Sequence, residues 1–163
     1  MSLADIGTQL GIEGKSVGEE YSAERTLRWT AAGLSMHGPY FFLGFSILDK
    51  QFGASTSIRT VATKTIAGQL FLFPPYLVAL FTFMGLMERS PNILQKIETG
   101  VPEAFVNGCI FWPIVNSINF GFVSPSQRVP YLAVMSGIWN SYLSLMNARM
   151  EPTILEDAEP DAV

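Results

Sequence analysis

The sequence predicts an all-α fold, an integral membrane bundle of about four spans with proline-kinked helices. Three observations predict it. Only 15% of the 163 residues are charged while 48% are hydrophobic, against roughly 25% charged in ordinary soluble domains. The mean hydropathy is +0.29. Four windows, Trp29–Leu48, Ile66–Met87, Ala104–Gln127 and Val129–Ala148, contain no Asp, Glu, Lys or Arg, and each has about the 20 residues needed to cross the hydrocarbon. A soluble bundle would instead carry charges on one face of each helix.

The charges fall between the windows, at Asp49–Lys50, Glu88–Arg89 and Arg128, where membrane–water boundaries belong. With four spans, Lys15, Arg25, Arg28, Arg89, Lys96 and Arg149 share one side, and Lys50, Arg59, Lys64 and Arg128 the other. That bias is too small to choose an orientation. Residues 1–24 read as a polar N-terminal segment, 25–149 as the multi-span domain, and 150–163 as an acidic disordered tail rich in Glu and Asp. No linker divides the chain. The first twenty-five residues show no cleavable address.

Prolines set the expected shape. Pro74–Pro75 interrupts the second window and Pro113 the third, because proline removes a backbone donor and clashes with the preceding turn. Trp29, Tyr40, Tyr76, Tyr131 and Tyr142 are candidates for interface anchors.

Helical spacing gathers polar and small residues onto faces. In the fourth window Ser136, Asn140 and Ser144 recur every four residues, beside Gly137 and Ser141. In the third, Gly108, Trp112, Asn116 and Asn119 share a face; in the first, Gly33, His37 and Gly44; in the second, Gln69 is the strongly polar residue. Amides and imidazoles are costly to leave unpaired in hydrocarbon, so these faces point inward. Two readings follow: His37, Gln69, Asn116, Asn119, Asn140 and Ser144 line a hydrated path for small solutes or ions, or they are interhelical glue within the bundle or a homo-oligomer. Arg128 either biases a pore mouth toward anions or snorkels to the interface.

Other chemistry has little to stand on. One histidine and one cysteine exclude a disulfide framework and multi-cysteine metal sites, and Cys109, between Gly108 and Ile110, reads as a buried small apolar residue. Gly14–Lys15–Ser16 echoes a phosphate-binding loop, but Gln9 stands where its first glycine belongs. No HExxH, CxxC or acidic pair lies inside a window, so an enzyme is not expected and neither is a cofactor. Ten scattered basic residues form no basic stripe, so direct nucleic-acid binding is not expected.

Specific motifs add a resemblance. Trp112–Pro113, Asn119–Phe120, Arg128 and Trp139–Asn140–Ser141–Tyr142–Leu143–Ser144, with Gly38–Pro39, Leu48–Asp49, Gln69, Pro74 and Pro102–Glu103–Ala104 upstream, resemble the signature of the Mpv-seventeen and twenty-two-kilodalton peroxisomal membrane protein family. Two positions depart from it: Gly68 stands where the family has an acidic residue, and the proline after the NF segment is at Pro125, not Ser124. Other members carry a further apolar helix ahead of the segment that Leu3–Ala4–Asp5–Ile6 resembles. The resemblance implies a small multi-span protein of the mitochondrial inner membrane or the peroxisomal membrane, with channel-like permeability that supports organelle homeostasis and, indirectly, mitochondrial DNA maintenance.

Overall fold

A computed structural model describes residues 1–16, 20–53 and 57–158, with the side chains of residues 117, 119–121, 125, 128, 129 and 156–158 left out of the description. The described residues are helical, with no strand among them. A short N-terminal helix, α1 (Ser2–Gly7), runs on through a π-helical turn, Thr8–Ile12. Four long rods follow. The first joins α2 (Ala23–Ala32) and α3 (Gly38–Phe52) through the π-turn Gly33–His37, and the second joins α4 (Ile58–Ala67) and α5 (Phe73–Glu88) through the π-turn Gly68–Leu72. The third is α6 (Ile93–Gly121) and the fourth is α7 (Arg128–Ala158), entered through a 3₁₀ turn at Pro125–Gln127.

Local chemistry sets the ends of the rods. Ser22, Ser57 and Asn92 precede α2, α4 and α6, and their side-chain oxygens accept from Arg25 N at 3.2 Å, Thr60 N at 3.3 Å and Gln95 N at 3.0 Å. Each satisfies an amide that has no partner within its helix. At the end of α5, Arg89 turns left-handed (φ 53°). The amides of Arg89 and Ser90 then reach back to the Leu86 and Gly85 carbonyls at 3.2 and 2.9 Å, a Schellman closure.

The expected breaks at proline take a particular form. Pro39 and Pro74–Pro75 fall in the first turns of α3 and α5, immediately after the π-turns. Widening the turn before a proline moves the carbonyl that its ring would strike. The α6 helix, by contrast, runs on through Pro102 and Pro113.

Helix α5 packs on α6, α6 on α7, α2 on α5 and α3 on α4. The core between them is built from Trp29, Tyr76, Leu77, Leu80, Phe81, Met84, Trp139, Leu143 and Met146. Outward-facing positions are also apolar, including Phe42, Phe71, Ile110, Ile114, Val134 and Ile138, as the surface of a bundle immersed in lipid would be. Among the described residues one continuous helix, Ile58–Glu88, is long and apolar enough to cross a membrane by length and composition.

Several expectations are corrected here. The N-terminal segment is a docked helix whose Asp5, Thr8 and Gln9 are fully buried, because α1 packs on α2 and α7. The start of the acidic tail continues α7 to Ala158, held by buried Met150 and Ile154; residues 159–163 lie outside the described residues. Trp29 and Tyr76 are each only 1% exposed, in the core and not at an interface. Cys109 is exposed, because it falls on the outer side of α6 while Gly108 faces the core and is buried.

Candidate functional site

A partly open cavity of about 480 Å³ is lined by all four rods. The first supplies His37 and Phe41, the second Gln69 and Tyr76, the third Trp112 and Asn116, and the fourth Ser136, Trp139 and Asn140. Asp49 and Lys64 stand at the end of the cavity nearest the α3–α4 connection, where they pair at 2.8 Å. From His37 to Asp49 the first rod advances roughly 18 Å at about 1.5 Å per residue, more than half the thickness of a hydrocarbon core.

The deep end is organised by rings. His37 Nδ1 lies 2.8 Å from the Tyr76 hydroxyl, and Phe41 packs against both rings, tilted, with centroids at 5.0 and 4.8 Å. The Tyr40 hydroxyl donates to the Leu72 carbonyl at 2.8 Å, tying the first rod to the π-turn of the second. Trp139 is the hub of the opposite wall, with Phe73, Phe111, Trp112 and Tyr142 at centroid distances of 5.9, 5.3, 6.1 and 5.0 Å. Glycine permits that wall: a Cβ on Gly108 would fall 2.5 Å from Phe73 Cε1. Gln69 reaches across to α6, its Nε2 3.4 Å from Cys109 Sγ. Asn140 is 6% exposed and its carbonyl oxygen has no hydrogen-bond partner.

Leu77, Leu80, Phe81, Leu143 and Met146 do not line the cavity; they pack into the core farther along α5 and α7. Beyond this apolar layer lies a buried ionic cluster that uses all four rods. Lys96, fully buried, bridges Glu88 and Glu151, the latter at 2.6 Å. Asn147 Nδ2 donates to Glu88 at 2.8 Å and Arg28 approaches the same carboxylate at 3.5 Å. A second cluster docks α1 at the same end: Asp5 pairs with Arg25 Nε at 2.8 Å and accepts from Thr26 at 2.6 Å, Gln9 at 2.9 Å and Ser144 at 2.5 Å. Arg25 also grips Glu13 at 2.7 and 3.0 Å. Partial burial raises the Glu13 pKa, but hydrogen bonds and charge from Lys15 and Arg25 outweigh it and hold the carboxyl below its ordinary value.

The cavity therefore brings together His37, Gln69, Asn116 and Asn140 of the sequence-predicted set, with the signature residues Trp112 and Trp139. Ser144 is not among them, because it faces the Asp5–Arg25 pair. Gly38 and Pro39 open α3, Pro113 lies within α6, and Tyr142 accepts from Asn107 at 2.7 Å behind Trp139. The side chains of Asn119, Phe120 and Arg128 lie outside the described residues. The sequence reading passed over the buried ion pairs, although Asp5, Thr8 and Gln9 lie opposite Leu3, Ile6 and Leu10, an i, i+3, i+7 pattern that marks a two-faced helix.

A sequence model of the Mpv17 / PMP22 family matches residues 85–144, which carry the cavity-lining Trp112, Asn116, Ser136, Trp139 and Asn140. The mitochondrial inner membrane protein Mpv17 of Drosophila melanogaster is 30% identical over 149 residues, covering 90% of this chain and 88% of its own. The chain belongs to the Mpv17 / PMP22 family. Among its Mpv17 / PMP22 relatives, PXMP2/4 family protein 4 of Dictyostelium discoideum is 29% identical over 132 residues, with 80% of this chain and 71% of that protein covered. Human mitochondrial inner membrane protein Mpv17 is 26% identical over 146 residues, covering 88% and 82%. As a member of the Mpv17 / PMP22 family the chain is a membrane protein of the kind found in mitochondria and peroxisomes. No solved structure matches it.

Proposed function

We propose that this chain is a non-enzymatic passage for small solutes across the mitochondrial inner membrane, with the peroxisomal membrane as the alternative, and that all four rods cross the bilayer. One observation carries the reading: each rod contributes an uncharged hydrogen-bonding side chain to a single cavity, His37, Gln69, Asn116 and Asn140. Glue alone needs polar side chains paired with one another. Here Asn140 leaves its buried carbonyl unpaired, a state stabilised by water or a solute in the cavity. On this reading the passage is closed at the Lys96 end by the apolar core layer, and opening parts Leu77, Leu80 and Phe81 from Leu143 and Met146. The π-turn ahead of Pro74–Pro75, tied to the first rod through Tyr40 and to the third through Gln69, is where the second rod would bend.

A non-transporting scaffold is the second reading, favoured by the ionic cluster that cements all four rods at that end. The test is solute efflux from proteoliposomes, with Gln69→Leu and Asn116→Leu beside the unaltered chain and helix content checked by circular dichroism. The passage reading expects efflux that both substitutions lower several-fold. No efflux from folded, inserted protein supports the scaffold.

A further inference from the structure

We infer that the cavity takes small neutral polyhydroxylated molecules and turns away ions of the same size. The inference rests on the passage reading for transport but not for binding. Among the lining residues Asp49 and Lys64 carry formal charges, and they neutralise each other at the mouth, 2.8 Å apart. Deeper in, over roughly 18 Å, the described polar groups are amides, hydroxyls and an imidazole hydrogen-bonded to the Tyr76 hydroxyl. An ion at that depth loses its water and meets no opposite charge, the costliest arrangement a low-dielectric site offers.

A hydroxyl-bearing solute meets matching groups. The amides of Gln69, Asn116 and Asn140 and the Ser136 hydroxyl each both donate and accept, as a hydroxyl does. Asn140, nine-tenths buried, needs a donor for its unpaired oxygen. A purely apolar solute would leave these groups unpaired. Trp112 and Trp139, with centroids 6.1 Å apart and planes at 57°, and Phe41, Phe45 and Phe73 give broad apolar faces for the C–H side of a carbon chain. The volume of about 480 Å³ equals about sixteen waters at about 30 Å³ each, room for a six-carbon polyol with water beside it.

The test compares three six-carbon polyol chains of different charge: sorbitol, gluconate and N-methylglucamine. Two of the three tryptophans line the cavity, so binding to purified protein is followed by tryptophan fluorescence, with Trp112→Phe to assign the signal. Sorbitol is expected to bind at least tenfold more tightly than either charged chain, and Asn140→Leu and the half-buried Gln69→Leu are each expected to weaken it about tenfold. Equal or tighter binding of a charged chain, or no saturable response to sorbitol from folded protein, overturns the inference. Efflux of the same molecules from proteoliposomes separates the two claims. Selective sorbitol binding without efflux sinks the passage reading and leaves the ligand class standing; equal efflux of all three sinks the ligand class and leaves the passage.

Discussion

Gly108 and Gly137 make opposite predictions at the residue scale. A methyl on Gly108 would drive into Phe73, 2.5 Å away, and press on Trp139 at 3.4 Å, so Gly108→Ala is expected to cost about 1–3 kcal/mol through overpacking. Nothing lies within 4 Å of a Cβ on Gly137, so Gly137→Ala should gain about 0.5–1 kcal/mol of helix propensity. Unfolding in mild detergent measures both; equal shifts would show that the aromatic wall does not touch α6 as described. Glu13 adds a pH dependence. Its folded pKa lies below the ordinary 4.5, so its stabilisation of the α1 docking is complete above that value and is lost as pH falls through the lower folded value. Hydrogen-exchange protection of residues 2–12, taken relative to the intrinsic rate at each pH, should therefore fall in acid, and Glu13→Gln should remove this component of the acid response.

At the scale of elements, capping, proline and burial divide the work. The four uncharged windows fall on the four rods, since a helix pairs the backbone polar groups of an apolar run within the run itself. The rod ends were harder to see. They depend on partners distant in sequence: Glu151 extends α7 because Lys96, fifty-five residues earlier, needs a second carboxylate, and a composition count sees only an acidic tail. The polar face of α1 was hidden for the same reason, since Asp5 looks solvated until Arg25 and Ser144 are beside it. Lys96 is the sharpest test at this scale. Lys96→Met leaves Glu88 and Glu151 facing each other without a cation, and about 3–5 kcal/mol of stability should go with it. Adding Glu88→Gln and Glu151→Gln should restore much of the loss; a Lys96→Met protein as stable as the parent would mean the cluster is solvated.

The whole molecule is a bundle with a polar-lined cavity toward one end and buried ion pairs toward the other. Helical spacing placed His37, Gln69, Asn116 and Asn140 on inward faces, and they share one cavity because each face also carries the small or aromatic residues that seat it against a neighbour. Spacing could not separate Ser144 from Asn140, four residues apart on the same face of α7, since one turn of helix moves the side chain from the cavity to the Arg25 cluster. Nor could it reveal that the cavity stops short of the far side, which depends on how Leu77, Leu80 and Phe81 of α5 meet Leu143 and Met146 of α7.

The most direct test of the cavity as the solute path is a covalent block. Asn116→Cys, in a Cys109→Ser background, is reconstituted into proteoliposomes loaded with sorbitol and treated with a bulky thiol-reactive reagent while efflux is recorded. The account predicts sorbitol efflux that the reagent reduces or abolishes, with no effect on the cysteine-free chain. Stoichiometric modification of Cys at position 116 that leaves the efflux unchanged would contradict it.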